Sequence, residues 1–152
     1  MKGMTATVLA SGVFDLLHYG HIRFLEEAKR RAGPDSRLVV IVARDKTVRR
    51  LKGRGPVIPE DQRRALVEAL NVVDEALLGY EDMDLTSVIE KIRPAVIAVG
   101  YDQDEIERQT RRIVEEGGLK LRVVKIGRFG KEDLNSSSKI KGKIVEGWRS
   151  RP

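Results

Sequence analysis

Residues 11–21, Ser11-Gly12-Val13-Phe14-Asp15-Leu16-Leu17-His18-Tyr19-Gly20-His21, hold both histidines of the 152-residue chain, three positions apart. Before them, Val8, Leu9 and Ala10 form an apolar run; after them, Ile22, Leu25 and Ala28 recur at helical spacing. The pattern predicts a strand over 5–10, a tight turn at Gly12 and a helix over 20–31 closed by Gly33-Pro34. A helix starting near Gly20 aims unpaired N–H groups and the positive end of its dipole over the turn, which favours a phosphate. Imidazoles placed there donate to phosphate oxygens. An isolated H-x-x-H usually marks a cap or a surface, but here it follows a strand and the run G-V-F-D, the context a phosphate site requires.

Outward from this stretch, strands and helices alternate. Strands are predicted over 37–43, 74–78, 95–99 and 121–126, and helices over 60–70, 85–92, 103–116 and 136–148. The run Arg37 to Ala43 is continuously apolar after its first residue, as suits a strand covered on both faces. Arg44 to Pro59 is basic and holds Gly53, Gly55, Pro56 and Pro59, so it reads as a loop after about one helical turn. The expectation is an α/β chain: a single Rossmann-like doubly wound domain over 1–152 with a five-stranded parallel sheet. In such sheets ligands bind beyond the carboxyl ends of the strands, at the switch in strand order. The histidine motif, Ala43 to Lys46, Gly100 to Gln103 and Gly127 to Ser138 all fall there, around one crevice.

Composition narrows the chemistry. With no cysteine and two histidines, the chain has no disulfide framework, no thiol nucleophile and little for a zinc site, and no residue is assigned to a metal. No run approaches the roughly 18 to 20 apolar residues of a membrane span, and no secretory leader is visible. A cytoplasmic protein without a membrane partner is expected. The net charge of +6 is dispersed among carboxylates, which suits anionic small substrates and gives no nucleic-acid partner. A charged fraction of 34%, with two Asn and three Gln, is the balance of heat-adapted proteins with surface ion-pair networks.

Gly12-Val13-Phe14-Asp15 followed by His18-Tyr19-Gly20-His21 resembles the G-x-F-D-x-x-H-x-G-H signature of the nucleotidyltransferase superfamily. That superfamily includes cytidylyltransferases, pantetheine-phosphate adenylyltransferase and archaeal FAD synthases, and class I aminoacyl-tRNA synthetases carry a related H-I-G-H. The resemblance continues through Ala43-Arg44-Asp45-Lys46, Pro59 to Arg64, Gly100 to Gln103 and Asn135 to Ile140, stretches most like those of the archaeal FAD synthases. It implies transfer of AMP from ATP, accompanied by magnesium, to FMN, giving FAD and pyrophosphate without a covalent intermediate. The alternatives are a cytidylyltransferase acting on glycerol phosphate or another small phosphorylated alcohol, and a non-catalytic nucleotide or nucleic-acid binding module.

The resemblance also implies roles. His18 and His21 contact the nucleotide phosphates, and Lys46, Lys52 and Arg63 surround the triphosphate or the acceptor phosphate. A solvated basic loop is the other reading of those three. Val13 and Phe14 lie along the nucleotide, Gly20 admits base or ribose, and Tyr101 and Asp102 recognise the nucleoside. Asp102 accepts from ribose hydroxyls, caps the next helix, or both. Ser136, Ser137 and Ser138 offer hydroxyls and N–H groups to phosphate. Asp15 either bonds nearby N–H groups of its own turn or belongs to the site. Tyr19 contacts substrate or packs. Lys131 falls where glycerol-phosphate cytidylyltransferases carry Arg, and lacks its planar fork. Phe14, Tyr19, Tyr101 and Phe129, four of seven aromatics, lie in or beside site loops, as a flat ligand needs. Tyr80, Met83 and Leu85 form either a homodimer patch or buried packing.

Overall fold

The computed structural model describes residues 5–80, 84–129 and 136–151. Its central strand, β1 (Thr7–Gly12), is apolar on both faces, and that double burial sets the architecture. The elements that follow are α1 (Tyr19–Arg31), β2 (Arg37–Val42), α2 (Asp45–Lys52), α3 (Glu60–Glu68), β3 (Glu75–Leu78), α4 (Leu85–Ile92), β4 (Val96–Gly100), α5 (Asp104–Gly117), β5 (Arg122–Ile126) and α6 (Ser137–Arg149). The five strands are all parallel, in the order β3-β2-β1-β4-β5. On one face Val8 and Ala10 pack with Leu25 and Ala28 of α1 and Val67 of α3. On the other, Leu9 packs with Val88 and Ile89 of α4, bordered by Ile106 and Ile113 of α5. Leu25 and Leu38 are fully buried, worth about 1.5–3 kcal/mol each relative to exposure. The chain winds outward from β1 through β2 to β3, then crosses to β4 and β5, so the switch in strand order falls between β1 and β4.

The expected doubly wound sheet is present, with differences at element ends. The helix predicted from Gly20 begins at Tyr19, with His18 as its N-cap. The stretch 44–59 holds a full eight-residue helix, α2, rather than one turn. Thr47 and Val48 bury on its inner side, Asp45 lies in its first turn and Arg49, Arg50 and Lys52 in its last, and Gly53 closes it at φ 75°. The Gly and Pro residues after position 52 dominate the sequence pattern and hide this helix. Tyr80 is exposed, Leu85 packs into the second apolar layer and Met83 lies outside the described residues, so Tyr80 and Leu85 do not share an exposed patch. Among the described residues no helix is long and apolar enough to cross a membrane.

Beside single surface ion pairs, two small charge networks form among the described residues. Glu27 pairs with both Arg30 and Arg31, whose guanidiniums hold its carboxyl down at about 2. Lys125 joins Asp104 and Glu107, and Glu107 also meets Arg111. Isolated exposed pairs contribute little, but networks gain weight as temperature rises. Thermal unfolding is expected above the roughly 45–65 °C of mesophile domains. A scanning-calorimetry midpoint inside that range would remove the heat-adaptation reading.

Candidate active site

The carboxyl end of β1 runs into the signature turn, and α1 starts four residues after Asp15. His18 and His21 stack there with ring centroids 3.7 Å apart and planes 25° from parallel. The His18 backbone N–H donates to His21 Nδ1 at 3.2 Å. That bond leaves the neutral His21 ring with its proton on Nε2, as an outward donor. His18 Nδ1 is buried and has no partner among the described residues. Burial first, then the neighbouring His18, pushes the His21 pKa down to about 3, while Asp15 opposes the shift and Lys52 adds to it. Burial also lowers His18. At neutral pH the pair is uncharged. Tyr19 and Gly20, in the first turn of α1, present N–H groups with no intrahelical acceptor beside it.

Two buried charged side chains hold this turn. Asp15 is 4% exposed, and its carboxylate oxygens accept from the Val57 and Ile58 N–H groups at 2.8 and 2.9 Å. Lys141 Nζ approaches it at 3.7 Å, and Ser137 donates to its backbone carbonyl. Asp15 therefore does bond backbone N–H groups, but those of a loop distant in sequence rather than of its own turn. Arg63 is completely buried. Its guanidinium donates to the carbonyls of Ile58, Val13 and Ala43 at 2.7–2.8 Å and to Asp45 Oδ1 at 2.6 Å. Of its five N–H donors, four such bonds are made inside the protein, so Arg63 braces the crevice floor rather than facing it.

Phe14 is similarly inward. It is 3% exposed and its ring meets His21 at 5.3 Å between centroids. A Cβ at Gly12 would stand 2.9 Å from Phe14 Cε2, so this position admits only glycine without a shift. Phe14 supports the histidine pair from below. Val13 lends its carbonyl to Arg63. Tyr19 is 62% exposed and Lys46 and Lys52 are exposed on α2.

At the ends of β4 and β5, Tyr101 is exposed with the Arg128 guanidinium 5.7 Å from its ring centre, and Phe129 packs on the first core layer under Arg23. Asp102 is exposed and does not cap α5, whose N-cap is Gln103. Gln103 is a residue whose role the sequence did not reveal: it accepts from Gly100 N–H and donates to the Ser11 carbonyl, fastening β4 to β1 at the switch point. The three serines divide their work. Ser136 caps α6, Ser137 docks it on Asp15, and Ser138 stays exposed. Asn135 and Lys131 lie outside the described residues.

Comparison with known proteins fits this geometry. Residues 9–143 match the family model described as cytidylyltransferase-like. The chain is 44% identical to the FAD synthase of Methanopyrus kandleri, over 96% of each chain. It is 49% identical to that of Ferroglobus placidus, over 91% of this chain and 87% of the other. A crystal structure described as a lipopolysaccharide core biosynthesis protein from Thermoplasma volcanium superposes with a TM-score of 0.71 at 40% identity, covering 84% of this chain and all of the other. Pantothenate synthetase from Thermus thermophilus shares the fold alone, at TM-score 0.56 and 18% identity, covering 86% of this chain and 58% of its own.

Two measurements test the geometry. Arg63→Lys keeps the charge but loses the fork, so it is expected to destabilise the protein by about 3–5 kcal/mol in urea unfolding. A loss below about 1 kcal/mol, together with weakened nucleotide binding, would make Arg63 a phosphate ligand instead. For His21, the unfolded chain takes up a proton below about 6.5 that the folded chain refuses until about 3. Its contribution is therefore complete above 6.5 and is lost as pH falls toward 3. The urea midpoint is expected to fall less steeply across that interval in His21→Gln than in the wild type. Equal slopes would mean that His21 is not held neutral.

Proposed function

The chain belongs to the cytidylyltransferase-like family, and from that premise we propose that it is an FMN adenylyltransferase, as its relatives named FAD synthase suggest. In this reaction a phosphate oxygen of FMN attacks the α-phosphorus of ATP. The bond from that phosphorus to the bridging oxygen breaks, FAD forms, and pyrophosphate carries away the electron pair. The observation that carries the reading is the neutral, stacked histidine pair at the head of α1, beside the switch point of the sheet. The acceptor phosphate is already ionised, so no general base is required and positioning dominates.

The residues divide the work by place. His18 and His21 donate to the α-phosphoryl oxygens as negative charge redistributes, and the N–H groups of Tyr19 and Gly20 add the positive end of the α1 dipole. Lys46 and Lys52 offset the charge of the triphosphate and of departing pyrophosphate from α2. Tyr101 and Asp102, exposed beyond β4, face the nucleoside, with Asp102 free to accept from ribose. Magnesium enters with ATP as part of the substrate. Both oxygens of Asp15 are engaged by backbone N–H groups, and the described residues contain no cluster of three His, Asp or Glu able to hold an ion. ATP and FMN are the small-molecule partners, and a cytoplasmic setting supplies both.

The test is to incubate the purified protein with ATP and FMN, or with CTP and glycerol phosphate, and to measure FAD and pyrophosphate. FAD formation with ATP is expected. Turnover with CTP and glycerol phosphate alone would replace the proposal with a cytidylyltransferase. His18→Ala and His21→Ala are each expected to lower turnover about 100- to 1000-fold while remaining folded. Near-normal turnover in either variant would remove that histidine from the mechanism.

A further inference from the structure

An open trough of about 500 Å³ runs along α6, walled on its far side by Arg54. Its volume lies in the range of about 300–1,000 Å³ typical of small-molecule sites. One end is tied to the signature turn through its wall: Lys141, a lining residue, approaches Asp15, and Ser137, next to the lining residue Ser138, donates to the Asp15 carbonyl. From Ser138 to Ser150 the trough follows the helix for roughly 18 Å at 1.5 Å per residue. That is an elongated shape with one end beside the residues that touch Asp15.

The lining has mixed chemistry. Arg54, Lys141 and Arg149 stand against a single carboxylate, Glu146. Arg54 and Arg149 have no ion-pair partner among the described residues. Val145 supplies an exposed apolar surface between the charged ends. Gly142 is the second signal. A glycine inside a helix weakens it, yet Gly142 sits mid-helix in the trough wall, and a Cβ there would meet nothing within 4 Å. The open space lies over bare helix backbone, as a flat ring needs for close approach. Gly147 is equally open but is not part of the lining.

We infer that this trough seats the acceptor, FMN, with its phosphate at the Ser138–Lys141 end and its isoalloxazine ring along Gly142 and Val145 toward Arg149. The inference rests on the FMN adenylyltransferase reading and adds to it a place for the flavin. Lys141 and Arg54 hold the phosphate dianion where it can attack. Glu146 accepts from ribityl hydroxyls, and the Arg149 guanidinium donates to the carbonyl edge of the ring. The exposed aromatics Tyr19 and Tyr101 are then left for the adenine nucleotide.

The experiment compares wild type with Gly142→Leu, Arg149→Ala and Arg54→Ala, measuring KM for FMN and for ATP, flavin fluorescence on binding, and melting temperature. Each variant is expected to raise KM for FMN by about tenfold or more, the scale of one lost charged hydrogen bond or of a blocked ring. KM for ATP is expected to stay within about twofold. Gly142→Leu should melt at or above the wild-type temperature, because leucine favours a helix over glycine; a purely structural role for the glycine would leave KM for FMN unmoved. Unchanged KM for FMN in all three, or equal rises for FMN and ATP, would overturn the trough while leaving the enzyme assignment intact. A wild-type protein that forms no FAD would overturn the assignment itself, and the proposed occupant with it.

Discussion

The carboxyl edge of the sheet depends on one buried cation. Taking a guanidinium out of water costs several kcal/mol and is offset only when its hydrogen bonds and charge are matched. Arg63 meets that condition with three carbonyls and Asp45. Its acceptors come from the turn after β1, the end of β2, the first turn of α2 and the approach to α3. A displacement of any of these would strand a buried charge, so their relative positions are narrowly set. Asp15 returns the connection in the opposite sense, taking N–H groups from the same 57–58 segment that gives Arg63 a carbonyl. The signature turn and this loop therefore hold each other, and the histidines ride on the result.

Neutrality of the histidine pair suits the chemistry. An imidazolium would grip a triphosphate strongly before reaction and its pyrophosphate product afterward. A neutral donor, aligned in advance, gives less to the ground state and leaves more of its effect to the charge that develops during transfer. The burial that lowers both pKa values also fixes the rings, through Phe14 below and the His18 N–H at one edge.

The strands were legible because β-branched apolar runs such as Val39 to Val42 and Val96 to Val99 must be covered on both sides, and the histidine motif because its residue types and spacing are rare together. What stayed hidden is informative. Arg63 lies beside Arg64 in a polar, exposed-looking helix start, and no one-dimensional pattern says which of two adjacent arginines turns inward. The α2 helix was masked by the glycines and prolines behind it. From its own helix cap, Gln103 bonds the end of β4 and also Ser11 of β1, 92 residues away in sequence. The serine triplet read as one phosphate site, yet its members cap, dock and remain open. Burial and long-range pairing decide these roles, and neither is written locally.

The bond from Ser137 to the Asp15 carbonyl joins residues 122 positions apart, and this separation has a bearing on synthesis. β1 is the middle strand and is made first, but its two neighbours arrive at different times: β2 soon after, β4 only once residues 96–100 have emerged. A growing chain adds about 5–20 residues per second, so for several seconds one edge of an apolar strand stands without its partner. The site itself closes only when the helix carrying Ser137 folds back onto a turn made 122 residues earlier. A chain stalled late in translation would thus hold both histidines and most of its sheet, yet lack the latch that joins its last helix to its first turn.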